Sequence, residues 1–248
     1  MNEKQTPARI DRRKHYFLVV DIETANFTNL PIAYDIGYAV ADRKGNIYAS
    51  GSLMIAEMFL NYPDLMSSAF YASKIPQYWK DFTEGNREIV SILTAYKRIY
   101  RLMKLYNISE VYAYNARFDS AGLDNTLRYL TKSEKRWFFP YGTKVYCIQH
   151  MAVQTILSQK NYFKFALENG LVTDKGNLST SAESAYRYIS KNEDFAESHT
   201  GFEDVQIELQ ILVKCFNQHK KIDKRINPAA WSIPQKAFRT YKEAIENS

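Results

Sequence analysis

Three short segments, Asp21-Ile22-Glu23, Asn115-Ala116-Arg117-Phe118-Asp119, and His199 with Asp204 five residues on, bring four carboxylates and one imidazole into the chain in a fixed order. That donor set suits phosphodiester hydrolysis by two divalent cations. Carboxylate oxygens hold hard cations, the cations activate a water and stabilise the leaving oxygen, and a histidine takes the water's proton. The sequence has no Gly-rich phosphate loop and no Gly-x-Ser-x-Gly elbow, so nucleoside triphosphate hydrolysis and acyl transfer lack their usual machinery. The pairs Cys147 with His150 and Cys215 with His219 lie outside zinc-finger spacings and read as helical core cysteines.

The elements that must position these residues follow from periodicity. The run Tyr16-Phe17-Leu18-Val19-Val20 is continuously apolar and ends at Asp21, as a central strand covered on both faces does. If the extended backbone continues, Asp21 and Glu23 project to one side, because strand side chains alternate with period two. Residues 35–41 and 47–55 read as two more strands joined by a polar turn over 42–46, an antiparallel meander. Residues 57–88 carry Pro63, Pro76, Gly85 and many aromatics without a clean period, which predicts irregular or short helical structure. From Ser91 onward, Ile92, Tyr96, Ile99, Met103 and Tyr106 share a helical face, and that helix leads to a strand over 111–114 running parallel to the first.

Asn115 to Asp119 then falls at that strand's carboxyl end and at the start of the next helix, near 123–130, and ligands in such sheets gather at strand carboxyl ends. A fifth strand is expected over 145–148, a helix over 151–157, a surface loop over 174–181 and a helix over 182–189. Thr200-Gly201-Phe202-Glu203 has the form of a capping box, and Val205, Leu209, Leu212 and Phe216 continue as an apolar stripe. His199 before the cap and Asp204 in the first turn occupy the two positions that touch in a hydrophobic staple, which would bring imidazole and carboxylate together. The fold class is therefore α/β: a mixed sheet in which an antiparallel meander leads into parallel strands flanked by helices.

These residues resemble the DEDDh (DnaQ-like) 3′–5′ exonucleases of the ribonuclease H-like fold. The first motif, Asp-x-Glu, is matched by Asp21 and Glu23 with Thr24 beside them; the second by Asn115, Phe118 and Asp119; the third by His199 and Asp204. Thr200 stands where a sister group has tyrosine, which points to the histidine branch. Gly201 and Val205 depart from frequent alanines, and the aromatic composition of 57–88 resembles phage-encoded members.

The resemblance implies that Asp21, Glu23 and Asp204 hold one ion, that Asp21 bridges to a second supported by Asp119, and that His199 is the general base. Two Mg2+ or Mn2+ ions are expected from an oxygen-rich donor set. The backbone near Thr24 and Ala25, with Asn115 and the ring of Phe118, would cradle the terminal nucleotide. The implied activity is release of nucleoside monophosphates from single-stranded or mismatched DNA 3′ ends. The alternatives are the same chemistry on RNA and a non-catalytic nucleic-acid-binding module of this fold.

Composition bounds the rest. The 248 residues, 46% hydrophobic and 24% charged, suit one exonuclease domain over 15–216 between a basic arm over 1–14 and a basic extension over 217–248. Residues 1–14 hold five Lys/Arg against two acids and residues 214–248 hold eight against three, so the net +6 leaves the middle acidic. An acidic centre with basic ends suits a protein that gathers cations at its site and meets a polyanion with its periphery. Phe59, Tyr62, Phe70, Tyr71, Trp79 and Phe82 alternate with Lys74, Lys80 and Arg87; core packing is the preferred reading of these aromatics, with single-strand stacking as the alternative. The polar first fourteen residues, two cysteines and lack of a long apolar run lead to the expectation of a cytoplasmic chain with no membrane partner.

Overall fold

The computed structural model describes residues 10–25, 30–132 and 134–247. Most of the expected basic arm lies outside the described residues; within them Arg13 pairs with Asp11, and Lys14 donates to the Tyr48 hydroxyl. Six strands form one sheet in the order β4-β3-β2-β1-β5-β6. They are β1 (Tyr16–Ala25), β2 (Ile32–Asp42), β3 (Ile47–Ile55), β4 (Glu88–Val90), β5 (Glu110–Ala113) and β6 (Lys144–Cys147). β1, β2 and β3 pair antiparallel as the meander predicts, and β5 and β6 add in parallel to β1. The three-residue edge strand β4, parallel to β3, has no period-two signature long enough to read in sequence.

β1 is apolar without alternation because both its faces are covered. Tyr16, Leu18, Val20 and Ile22 enter one core with Met58, Ile92, Ile99, Leu123 and Leu127. Phe17 and Val19 enter the other with Ile148, Val153, Val205, Leu209 and Leu212. The first core is roofed by α1 (Ala56–Asn61), α2 (Pro63–Ser67), a 3-10 turn (Ala72–Lys74), α3 (Ile75–Thr83), α4 (Ile92–Leu105) and α5 (Ala116–Leu130). Four further helices cover the second: α6 (Ile148–Thr155), α7 (Lys160–Glu168), α8 (Ala182–Ser190) and α9 (Gly201–Phe216). α10 (Gln235–Glu246) packs on α7, with Phe238 fully buried against Phe163.

One boundary here differs from expectation, that of α6, while the short helices expected in 57–88 and the helix start expected at 115–119 are found. α5 begins at Ala116 with Asn115 at the N-cap position, so Asn115 to Asp119 forms the helix start. α6 begins at Ile148, which therefore belongs to the helix and not to the strand before it. The segment 57–88 is largely helical, in short pieces separated at Tyr62 and by the turn at 68–71. Part of the basic C-terminal run is engaged within the chain: Lys224 donates to the Tyr112 hydroxyl and lies near Glu110, while Arg225 pairs with Asp223. No helix among the described residues is long and apolar enough to cross a membrane.

Candidate active site

Asp21 and Glu23 continue the row of Phe17 and Val19, so both carboxylates face the side of the sheet on which α9 lies. The register with β2 slips between Glu23 and Thr24, which bends the strand end just past the second carboxylate. Thr24 is half-buried there and Ala25 is buried. Asp119 arrives from the first turn of α5, where its buried carboxylate accepts a hydrogen bond from the Ile22 amide, between the two acids of β1. Asn115 and Phe118 stand exposed at the same helix start, and the Asn115 side chain makes no capping bond.

Asp204 comes from the first turn of α9 and is buried, accepting from the Ser198 hydroxyl at 3.2 Å. His199, just before that helix, sits at φ 55°, the left-handed region that non-glycine residues seldom occupy, so the chain turns sharply into α9. Ligand atoms of Glu23, His199 and Asp204 all lie within 4.8 Å of one another. Asp119 and Glu23 are in turn the acids that press most strongly on Asp21. The three segments thus converge on one point, as their order along the sheet and helix ends predicts.

Two glycines allow that convergence. Gly37 of β2 and Gly201 of α9 meet backbone to backbone: a Cβ on Gly37 would fall 1.9 Å from the Gly201 carbonyl oxygen, and one on Gly201 would fall 2.7 Å from the Gly37 nitrogen. The first turn of α9 can therefore lie directly on the sheet beside Asp21, whose partner across the ladder is Gly37. Position 201 cannot take alanine without backbone movement.

The expected capping box forms differently. Thr200 is the N-cap, but its hydroxyl donates to the Glu203 carboxylate at 2.6 Å and caps no backbone amide. The Gly201 amide is taken instead by buried Asp35 of β2, at 3.1 Å. Arg87, its side chain only 4% exposed, reaches Asp35, Asp81 and Glu203 together, so one Glu203 carboxylate oxygen is shared between the Thr200 hydroxyl and the guanidinium. Asp35 also accepts from Ser52 and Tyr78.

Four further residues join the site without any motif to announce them. Glu197, two residues before His199, places a carboxylate oxygen 4.0 Å from the imidazole. Glu183 contributes to a second close group with Glu197 and His199. Glu208, one turn after Asp204, is buried with one carboxylate oxygen lacking any partner among the described residues. Tyr71 stacks on His199. Only Glu208 left a readable trace, an acid at helical spacing from Asp204 on the apolar side of α9.

The electrostatics are lopsided. Among the described residues no lysine or arginine forms an ion pair with Asp21, Glu23, Asp119 or Asp204. Burial, joined by repulsion from Asp119, Glu23 and Asp204, pushes Asp21 far above the usual carboxylate range. Burial with repulsion from Asp204 and Asp35 lifts Glu23 to about 9, and burial with repulsion from Glu197 lifts Asp204 to about 8. Burial raises Asp119 to about 7 against the Ile22 amide's pull, while Glu208 is driven up by burial and by Asp21. Burial lowers His199 and favours the neutral imidazole. Clustered oxygen donors that the protein leaves unneutralised fit hard divalent cations. The cysteines do not join them: Cys147 bonds the Tyr114 carbonyl, and His150 meets the Arg225 carbonyl.

No family model and no curated protein matches the sequence. Solved structures do. A 3′-exonuclease in a complex described as 3′-end-specific recognition of a histone mRNA stem-loop is 12% identical, with a TM-score of 0.55 over 86% of each chain. The nuclease domain of 3′hExo, described as a DEDDh family member bound to rAMP, is 13% identical, with a TM-score of 0.55 over 86% of this chain and 96% of that one. The chain has the fold of these two 3′-exonucleases. Exonuclease I of E. coli in complex with a dT13 oligonucleotide is similar in fold at 16% identity and a TM-score of 0.51, over 81% of this chain but 41% of that one.

Proposed function

We propose that this chain is a metal-dependent 3′–5′ exonuclease that releases nucleoside monophosphates from single-stranded or mismatched DNA 3′ ends. The observation that carries the reading is the meeting of Asp21, Glu23, Asp119, Asp204 and His199 at one unneutralised point of this fold. Asp21, Glu23 and Asp204 would hold one Mg2+ or Mn2+, with Asp21 shared with a second that Asp119 supports. When bound, the two ions supply the charge that activates a water and stabilises the departing oxygen. His199, kept neutral by burial, accepts the water's proton at a ring nitrogen. The bond from phosphorus to the 3′ oxygen breaks, the shortened strand keeps a 3′ hydroxyl, and the nucleoside 5′-monophosphate leaves. Phe118 and Asn115, exposed beside Asp119, together with the strand end at Thr24 and Ala25, would hold the terminal nucleotide.

RNA is the second reading, favoured by the likeness to the histone mRNA exonuclease over most of both chains. The presence of all five motif residues argues against a non-catalytic module. Digestion of 5′-labelled DNA and RNA of matched sequence with magnesium separates these possibilities. A DNA ladder shortening from the 3′ end is expected, faster for a single strand or a 3′ mismatch than for a blunt duplex, because unpairing costs about 1–2 kcal/mol per step. Internal cuts, or no cleavage of either strand type, would overturn the reading; faster cleavage of RNA would transfer it to RNA.

A further inference from the structure

The segment from α1 to α3 carries none of the five motif residues, yet its central turn reaches them. Tyr71 lays its ring flat on the His199 imidazole, with centroids 4.0 Å apart and planes 12° from parallel. Phe70 stands edge-on to Tyr71 at 4.8 Å and is 78% exposed. Ala69 in the same turn and Met66 near the end of α2 are buried in the core, so the turn is anchored from beneath. Lys74, at the end of the 3-10 turn, lies near enough for its charge to act on His199.

Core packing accounts for Phe59 and Tyr78, which are 6% and 0% exposed, but not for Phe70. An exposed phenyl one ring beyond a histidine, with a cation beside it, matches what a single strand offers: a base with an open face and a neighbouring phosphate. We propose that Phe70 and Lys74 form an outer wall of the substrate site, Phe70 stacking on a base next to the linkage being cut and Lys74 meeting the adjacent phosphate. Tyr71 is a positioning residue that holds the His199 ring at the foot of this wall. The inference rests on the exonuclease reading of the site.

Equilibrium binding of a fluorescein-labelled single-stranded oligonucleotide, DNA in one arm and RNA in the other, tests it with calcium replacing magnesium so that binding is read without turnover. Phe70→Ala should raise Kd about 5- to 100-fold on either strand, and Phe70→Trp should restore it. Lys74→Gln should lower the slope of log Kd against log salt by about one. Tyr71→Ala should reduce kcat while leaving Kd near that of the wild type, and Tyr71→Phe should recover the loss. Because Phe70 is exposed, Phe70→Ala should melt as the wild type does. Unchanged Kd for folded Phe70→Ala on both strands would overturn the proposal. Should the wild type bind tightly but leave strands uncut with magnesium, and Phe70→Ala still weaken binding, the exonuclease reading would fall and the wall would stand.

Discussion

Two buried acidic clusters flank the start of α9, and the protein finishes only one of them. Asp35, fully buried, receives Arg87, the Ser52 and Tyr78 hydroxyls and the Gly201 amide. Burial still holds its carboxyl above the usual range, with Arg87 and the three hydrogen bonds pulling the other way. Across Gly37, the Asp21, Glu23, Asp119 and Asp204 cluster gathers four carboxyl groups but has no basic partner among the described residues. A buried ion pair such as Asp35 with Arg87 mainly fixes geometry, since desolvation offsets much of its attraction. The contrast teaches that the Arg87 cluster locates the helix start, while the second cluster is left open for charge from outside.

The largest effects should separate the two clusters. Asp21→Ala or Asp204→Ala should lower the hydrolysis rate by at least about a thousandfold, or about 4 kcal/mol, without lowering stability in EDTA, because each removes a buried acid whose ionised form burial and its neighbours penalise. Arg87→Met should do the reverse in kind, costing about 3–5 kcal/mol of unfolding free energy in a denaturant melt by stranding Asp35. Destabilised Asp21→Ala, or Arg87→Met as stable as the wild type, would erase the distinction.

His199→Ala should cost about 10²- to 10⁴-fold in rate while leaving metal affinity largely intact. Because burial lowers His199, the imidazole is the active, neutral base at neutral pH, and the rate should fall only on acidification below about 6.5. A pH–rate profile with chemistry rate-limiting checks both the midpoint and its absence in the variant.

A smaller effect should appear in stability against pH. Asp119, Glu23 and Asp204 have folded values of about 7, 9 and 8, all above their unfolded values. The native state therefore binds more protons than the unfolded chain at neutral pH. The contribution is fully present below the unfolded values and is lost as pH rises through the folded ones. In EDTA, Tm should decline between about pH 5 and 9, and magnesium should flatten that decline. Asp35, with Arg87 beside it, should contribute little to the slope, so Asp204→Asn should flatten it more than any change at Asp35.

Much of the placement of the candidate site was legible because its signals are local. The apolar run of β1, the two-residue spacing of Asp21 and Glu23, and the stripe behind Thr200 each declare an element and a direction within a dozen residues. The Arg87 cluster was not legible. Arg87 meets Glu203 across 116 positions and Asp35 across 52, and nothing in the local pattern of either partner marks the pairing. For the same reason the form that the capping box takes was not legible, since its Glu203 carboxylate is shared with a distant arginine. Tyr71 was visible only as one aromatic among many in 57–88. Gly37 and Gly201 were readable in principle, because glycine inside a strand or at a helix start often marks a close backbone approach.

The difference between the clusters is tested most directly by titrating Mn2+ into the wild-type chain by calorimetry at neutral pH, in buffers of differing ionisation enthalpy. Raised carboxylates must release protons when a cation replaces them, so binding should be accompanied by measurable proton release. Asp21→Asn and Asp204→Asn should each weaken binding and reduce the protons released, whereas Asp35→Asn, where it folds, should change neither. No heat of binding, or binding and proton release identical in wild type and Asp204→Asn, would contradict the claim that this cluster is the cation site.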